Sequence, residues 1–101
     1  READVRYKLL FDAIDEGFCI IDLIFDEAGR GVDYRMVEAN PAFVAHTGLD
    51  DPVGKRVREL QPDIEDHWPE TYGRIATSGI AERFESQSLA LGRWFDVFAF
   101  P

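Results

Sequence analysis

Residues 37–43 read Val37-Glu38-Ala39-Asn40-Pro41-Ala42-Phe43, and this stretch marks the passage from a strand into a helix. An asparagine side-chain oxygen can accept from the free N–H groups of a first helical turn. Proline suits the first helical position, where its missing N–H costs nothing. Asn40-Pro41 therefore reads as a helix start, with Phe43 and Val44 as core contacts and Gly48 as the stop. Loss of such a cap costs about 1 kcal/mol. Upstream, residues 32–39 alternate Tyr34 and Met36 against Asp33 and Arg35, the period of a half-buried strand. The polar turn Asp26-Glu27-Ala28-Gly29-Arg30-Gly31 separates it from residues 18–26. There Phe18, Ile20 and Ile24 alternate with Cys19, Ile21, Leu23 and Phe25. A strand apolar on both faces is expected to be covered on both. The two strands make an antiparallel hairpin.

Further out, residues 2–15 predict a helix with Val5, Leu9 and Ala13 on one stripe, widened by Leu10 and Ile14 and ended by Gly17. Asp50-Asp51-Pro52 and Gly54 form a turn before Val57, Leu60 and Pro62. Residues 63–78 predict the longest helix, with Trp68, Tyr72, Ile75 and Ala76 as its apolar stripe, Pro69 in its first turn and Gly79 after it. Residues 82–89 and 93–100 predict two more strands joined at Leu91-Gly92. Helix, two strands, short helix, long helix, two strands: this order gives an α+β fold with an antiparallel sheet.

The chain has 101 residues, 46% of them hydrophobic, which suits one globular domain with a core of its own. Twenty acidic against eleven basic residues leave a net charge of -9. Such a surface repels phosphate backbones, so no nucleic-acid partner is expected. The apolar run at residues 18–25 is broken by Asp22 and is too short to span a bilayer, so this segment should make no membrane contact. The single cysteine, Cys19, excludes an intrachain disulfide and is compatible with a cytoplasmic location. A chain opening on Arg1 rather than methionine is expected to continue upstream.

No residues read as catalytic. Ser78, Ser86 and Ser88 sit at a helix end and on a strand, in no nucleophile turn. His46 and His67 are the only histidines, and each has a plain structural reading. Asp63, Glu65, Asp66 and His67 crowd a helix start, where acids favour the dipole and face water. No metal site and no phosphate loop is expected.

Val37-Glu38-Ala39-Asn40-Pro41-Ala42-Phe43, Thr47-Gly48-Leu49, Pro52-Val53-Gly54-Lys55 and Leu60-Gln61-Pro62, in this order and spacing, resemble a PAS domain. Glu82-Arg83-Phe84 and Gly92-Arg93-Trp94-Phe95-Asp96-Val97 are similar to the end of one. The resemblance covers nearly the whole chain and implies a bacterial-type sensory or signal-transduction protein. It divides the chain into an N-terminal amphipathic helix, residues 1–16, for dimerisation or packing on the sheet, and a PAS-like domain, residues 17–101. PAS sheets have five strands, the last at the centre beside the first. The resemblance thus implies a truncated domain with a gap between the first and fourth strands, to be filled by a downstream strand or another chain.

The same resemblance implies a non-catalytic sensor or relay, ahead of a histidine kinase, a cyclic-di-GMP synthase or a similar output domain in the same polypeptide, with a homodimer as the expected assembly. A small ligand would sit near Met36, Phe43, Trp68, Tyr72, Ile75 and Phe95. The alternative is a ligand-free dimerisation or docking module, with the same aromatics filling the core. No cofactor is expected. Light-sensing relatives bond flavin through a cysteine in a Gly-x-Asn-Cys-Arg-Phe-Leu-Gln segment. Here Gly54-Lys55-Arg56-Val57-Arg58-Glu59-Leu60-Gln61 puts Val57 in its place, and without a thiolate the adduct cannot form. Haem on His67 is not expected either, because the residue lies at an acidic helix start and iron ligation favours a buried imidazole.

Overall fold

The computed structural model describes residues 9–10, 12–13 and 15–101. Along them run β1 (Cys19–Phe25), β2 (Gly31–Ala39), α1 (Pro41–Thr47), α2 (Val57–Leu60), α3 (His67–Ser78), β3 (Glu82–Ser88) and β4 (Arg93–Ala99). The helix expected over residues 2–15 falls largely outside the described residues. Leu9 and Leu10, which are described, are helical and exposed.

β1 and β2 pair antiparallel, with Leu23 opposite Tyr34 and Ile21 opposite Met36. The turn between them closes on itself: Asp26 Oδ1 accepts from the Arg30 N–H at 2.9 Å, and Gly29 takes the left-handed conformation, φ 81°. Cys19, Ile21 and Leu23 pack on the core. The other face of β1 departs from expectation. Ile20 is 39% exposed and Asp22 is exposed. Ile24 on the same face is half-buried, and the charge of Asp22 favours water beside it, where burial would strip its hydration.

β3 and β4 form a second antiparallel hairpin, with Phe84 opposite Val97 and Ser86 opposite Phe95. The four strands make two separate two-stranded sheets, β1-β2 and β3-β4, rather than one continuous sheet. No ladder joins β1 to β4, which is where the resemblance places a gap. The far rim of β2 is occupied: Met36 N–H donates to the Lys55 carbonyl at 2.9 Å and Gly54 N–H to the Met36 carbonyl at 2.8 Å.

α3 starts at His67, four residues later than the sequence predicts. Residues 61–66 instead make turns, with Ile64 N–H donating to the Gln61 carbonyl at 3.0 Å. The turns bury Ile64 in the core, 4% exposed. Ala76 is exposed and does not belong to the stripe. α3 crosses β2 at Gly31 and Gly73, where a methyl on Gly31 would collide with the Pro69 carbonyl and one on Gly73 would lie 3.0 Å from the Gly31 Cα. The core between the hairpins and the helices is built on Tyr34, Met36, Leu49, Val57, Ile64 and Trp68.

Candidate functional site

The interior between the helices and the two hairpins is aromatic. Trp68, 4% exposed, stands at its centre on the first turn of α3. Its ring is 5.7 Å from Phe95 in an edge-on contact, 6.1 Å from Phe84 and 6.2 Å from Tyr72. Tyr72, one helical turn on, meets Tyr34 edge-on at 5.5 Å and Phe84 at 6.2 Å. Such pairs contribute about 0.5–1.5 kcal/mol each beyond the area they bury.

Of the residues the sequence suggests as pocket lining, Met36, Phe43, Trp68, Tyr72 and Phe95 come together in this one cluster. Ile75 is buried, 2% exposed, but lies outside it. Tyr34 and Phe84 belong to it and were not singled out, since each reads from sequence as an ordinary alternating strand residue. Burial raises the Tyr34 hydroxyl well above the usual tyrosine range, helped by the neighbouring Tyr72 and Cys19. It raises Tyr72 likewise, and it pushes the Cys19 thiol up to about 12. One thiol and two phenols therefore stay neutral beside the aromatic rings.

Two polar constructions hold the walls. Asn40, fully buried, is the expected cap of α1: its Oδ1 accepts from Phe43 N–H at 2.9 Å. It does more than cap. Oδ1 also accepts from Phe18 N–H at 2.8 Å, and Nδ2 donates to the Glu16 carbonyl at 2.9 Å. Asp33, 5% exposed, accepts from Tyr34 N–H at 2.8 Å and pairs with the Arg56 guanidinium at 2.7 Å. Arg58 then ties β2 to the turns before α3, donating to the Val32 carbonyl at 2.8 Å, the Ile64 carbonyl at 3.0 Å and Asp66 at 2.7 Å.

The acidic stretch before α3 is more than a hydrated helix start. Glu65 Oε1 accepts from Ser88 Oγ at 2.6 Å and from Trp68 Nε1 at 3.1 Å, while Oε2 accepts from Ala90 N–H at 2.9 Å. Burial alone would raise this carboxyl. The hydrogen bonds from Ser88, Ala90 and Trp68 outweigh it and bring the group down to about 2. His67 stacks on Trp68 at 4.7 Å, and its Nε2 is 2.9 Å from Ser86 Oγ. His46 is exposed, and its carbonyl accepts from the Arg93 guanidinium. Among the described residues no group of His, Cys, Asp and Glu side chains could hold a metal ion, and no helix is long and apolar enough to cross a membrane. Val57 is fully buried in the core.

A cleft of about 480 Å³ is lined by His46, Arg93, Trp94, Phe95 and Asp96, and a smaller one of about 160 Å³ by Arg30, Gly31, Val32, Arg58, Asp66 and Glu70. Neither has Trp68 or Tyr72 on its walls. The aromatic interior is packed ring to ring.

The sequence profile of the PAS domain family matches residues 5–81. The chain belongs to the PAS domain family. No curated protein matches it, and no solved structure does. PAS domains are signal-sensing or interaction modules, generally without catalytic activity, and this one has the antiparallel strands and helices of an α+β PAS-like fold.

Proposed function

We propose that this PAS domain is the sensory or relay module of a larger cytoplasmic signalling protein, of the sensor histidine kinase or cyclic-di-GMP synthase kind. It takes a small apolar ligand into the aromatic interior and passes the change to an output domain, in a homodimer. The reading rests chiefly on Trp68. It is buried at the meeting point of α3 and the β3–β4 hairpin, with Tyr72, Phe84 and Phe95 around it. A ligand that fits one packing of these rings better than another shifts the domain by its differential affinity, typically about 1–3 kcal/mol. No haem, flavin or metal enters this reading, and the domain itself performs no reaction.

Fluorescence of Trp68 in a Trp94→Phe background, titrated with small aromatic and aliphatic compounds, tests the proposal. A saturable change lost in Phe84→Ala supports it. A flat response across the panel counts against it.

One observation favours the ligand-free docking module. Trp94, Phe98 and Phe100 are 71%, 63% and 59% exposed, and the last two stack at 5.8 Å. A concentration-dependent dimer abolished by Trp94→Ser and Phe98→Ser, together with an unresponsive Trp68, would favour that reading.

A further inference from the structure

In a PAS sheet with its central strand between β1 and β4, the outer rims are β2 and β3. A rim strand carries a row of backbone N–H and C=O groups that another strand can pair with. The chain closes the β2 rim itself. Gly54 and Lys55 bond Met36 through the backbone, Arg56 makes one further antiparallel bridge to Arg35, and the Arg58 guanidinium donates to the Val32 carbonyl at 2.8 Å. β3 is treated differently. It pairs with β4 along its whole length, from Glu82 opposite Ala99 to Ser88 opposite Arg93. Among the described residues no backbone bond reaches its other rim. That rim faces away from the central position, so a strand beside β1 leaves it as it is.

We infer that the β3 rim docks a second copy of this chain, edge to edge and antiparallel about Phe84. Charge complementarity selects the partner and the register. β3 reads Glu82-Arg83-Phe84-Glu85-Ser86-Gln87-Ser88. Arg83 and Glu85 are exposed and, two residues apart, share one face of the strand. Pairing centred on Phe84 sets Arg83 against Glu85 of the second copy, and Glu85 against Arg83 of the second copy. Glu82 then faces Ser86 of the second copy, carboxylate against hydroxyl, and no like charges stand directly opposite. A register centred on Arg83 or on Glu85 puts like charges on the axis instead. Charges on an edge strand keep most other strands away; this alternation of sign makes the chain's own β3 the exception. Asp96 holds the Arg83 guanidinium in place through two hydrogen bonds, at 3.2 and 2.7 Å, and a guanidinium has donors beyond those two. The inference names the surface of the homodimer proposed above and rests on that part of the reading, not on the ligand.

Sedimentation of the full protein at physiological salt, which screens the net charge of -9 on each chain, tests the docking. Arg83→Glu puts two like-charge pairs across the axis, and so does Glu85→Arg. Each should weaken the dimer about tenfold or more. The two single variants mixed together should associate again, because each supplies the charges the other has lost. The double variant Arg83→Glu, Glu85→Arg restores complementarity in the same register and should dimerise about as well as the wild type. Trp94→Ser, on the exposed face of β4, should leave the dimer intact. A dimer indifferent to both reversals, or variants that fail to associate when mixed, overturns the inference. If Trp94→Ser alone dissolves the dimer, the homodimer stands on the other face and the β3 rim is not its surface. A chain monomeric at all concentrations removes the inference and the homodimer together. If a reversal does not fold, Arg83→Gln and Glu85→Gln delete the charge without reversing it and should weaken the dimer by a smaller factor; unchanged affinity in both overturns the inference.

Discussion

Phe18 and Asn40 hold each other by two hydrogen bonds: Phe18 N–H donates to Asn40 Oδ1 at 2.8 Å, and Asn40 N–H donates to the Phe18 carbonyl at 2.9 Å. The pair joins the entry to β1 with the end of β2, while the same Asn40 oxygen caps α1. Asn40→Ala removes the cap, worth about 1 kcal/mol. It also leaves buried N–H groups unsatisfied, at about 1–3 kcal/mol. The expected loss is about 2–4 kcal/mol, read as a shift of the urea midpoint with unchanged slope. Asn40→Ser keeps an acceptor and should lose less.

The crossing of β2 and α3 makes a second expectation. Gly31→Ala would drive its methyl into the Pro69 carbonyl, and the backbone of Gly73 closes the other side. Neither neighbour is a flexible side-chain tip, so the strain should reach about 3 kcal/mol, the upper end for overpacking. Gly29→Ala meets open space and suffers only from its positive φ, costing about 1 kcal/mol. Denaturation of the two variants side by side reads the contrast.

Local chemistry made the frame legible, and long-range contacts hid the rest. Asn40-Pro41 announces its helix because cap and proline act within one turn, and Tyr34 and Met36 announce a strand because alternation is local. The long helix begins at His67, four residues past the start its acids suggest. The acids at 63–66 suit a helix N-terminus, but they are claimed by distant partners. Glu65 bonds Ser88 and Ala90, 23 and 25 residues away. Asp66 bonds Arg58. The core aromatics Trp68, Tyr72 and Phe95 are legible because aromatics on a helix stripe and an inward strand position must meet across a small core. Tyr34 and Phe84 are not, since the contact that matters for each depends on how the hairpins fold over α3.

Glu65 also sets an acid limit. Its folded carboxyl titrates at about 2, against about 4.3 when unfolded. A lowered folded value means the ionised form favours folding. That contribution is complete above the unfolded value and is lost as pH falls from about 4.3 toward 2. Asp26, with the Arg30 backbone N–H on it, and Asp96, with the Arg83 guanidinium, are lowered in the same direction. Stability should fall across this window, and Glu65→Gln should flatten the fall. Thermal melts at stepped pH measure it.

Cys19 should be quiet in the native state. Burial holds its thiol at about 12, against about 8.5 for a free one, and the thiolate is the reactive form. At pH 8 the thiolate fraction is about a thousandfold smaller in the folded protein, so a disulfide reagent should label it at least a hundredfold more slowly than the urea-unfolded chain. Equal rates would mean that β1 does not pack as described.

Native mass spectrometry of the full protein, purified from its own cells without denaturant, bears most directly on whether the aromatic interior senses a small molecule. The expected spectrum carries a bound mass in near one-to-one ratio with the chain, absent from Trp68→Ala. A bare chain in both, with Trp68→Ala otherwise folded, would contradict the sensing account and leave a docking module in its place.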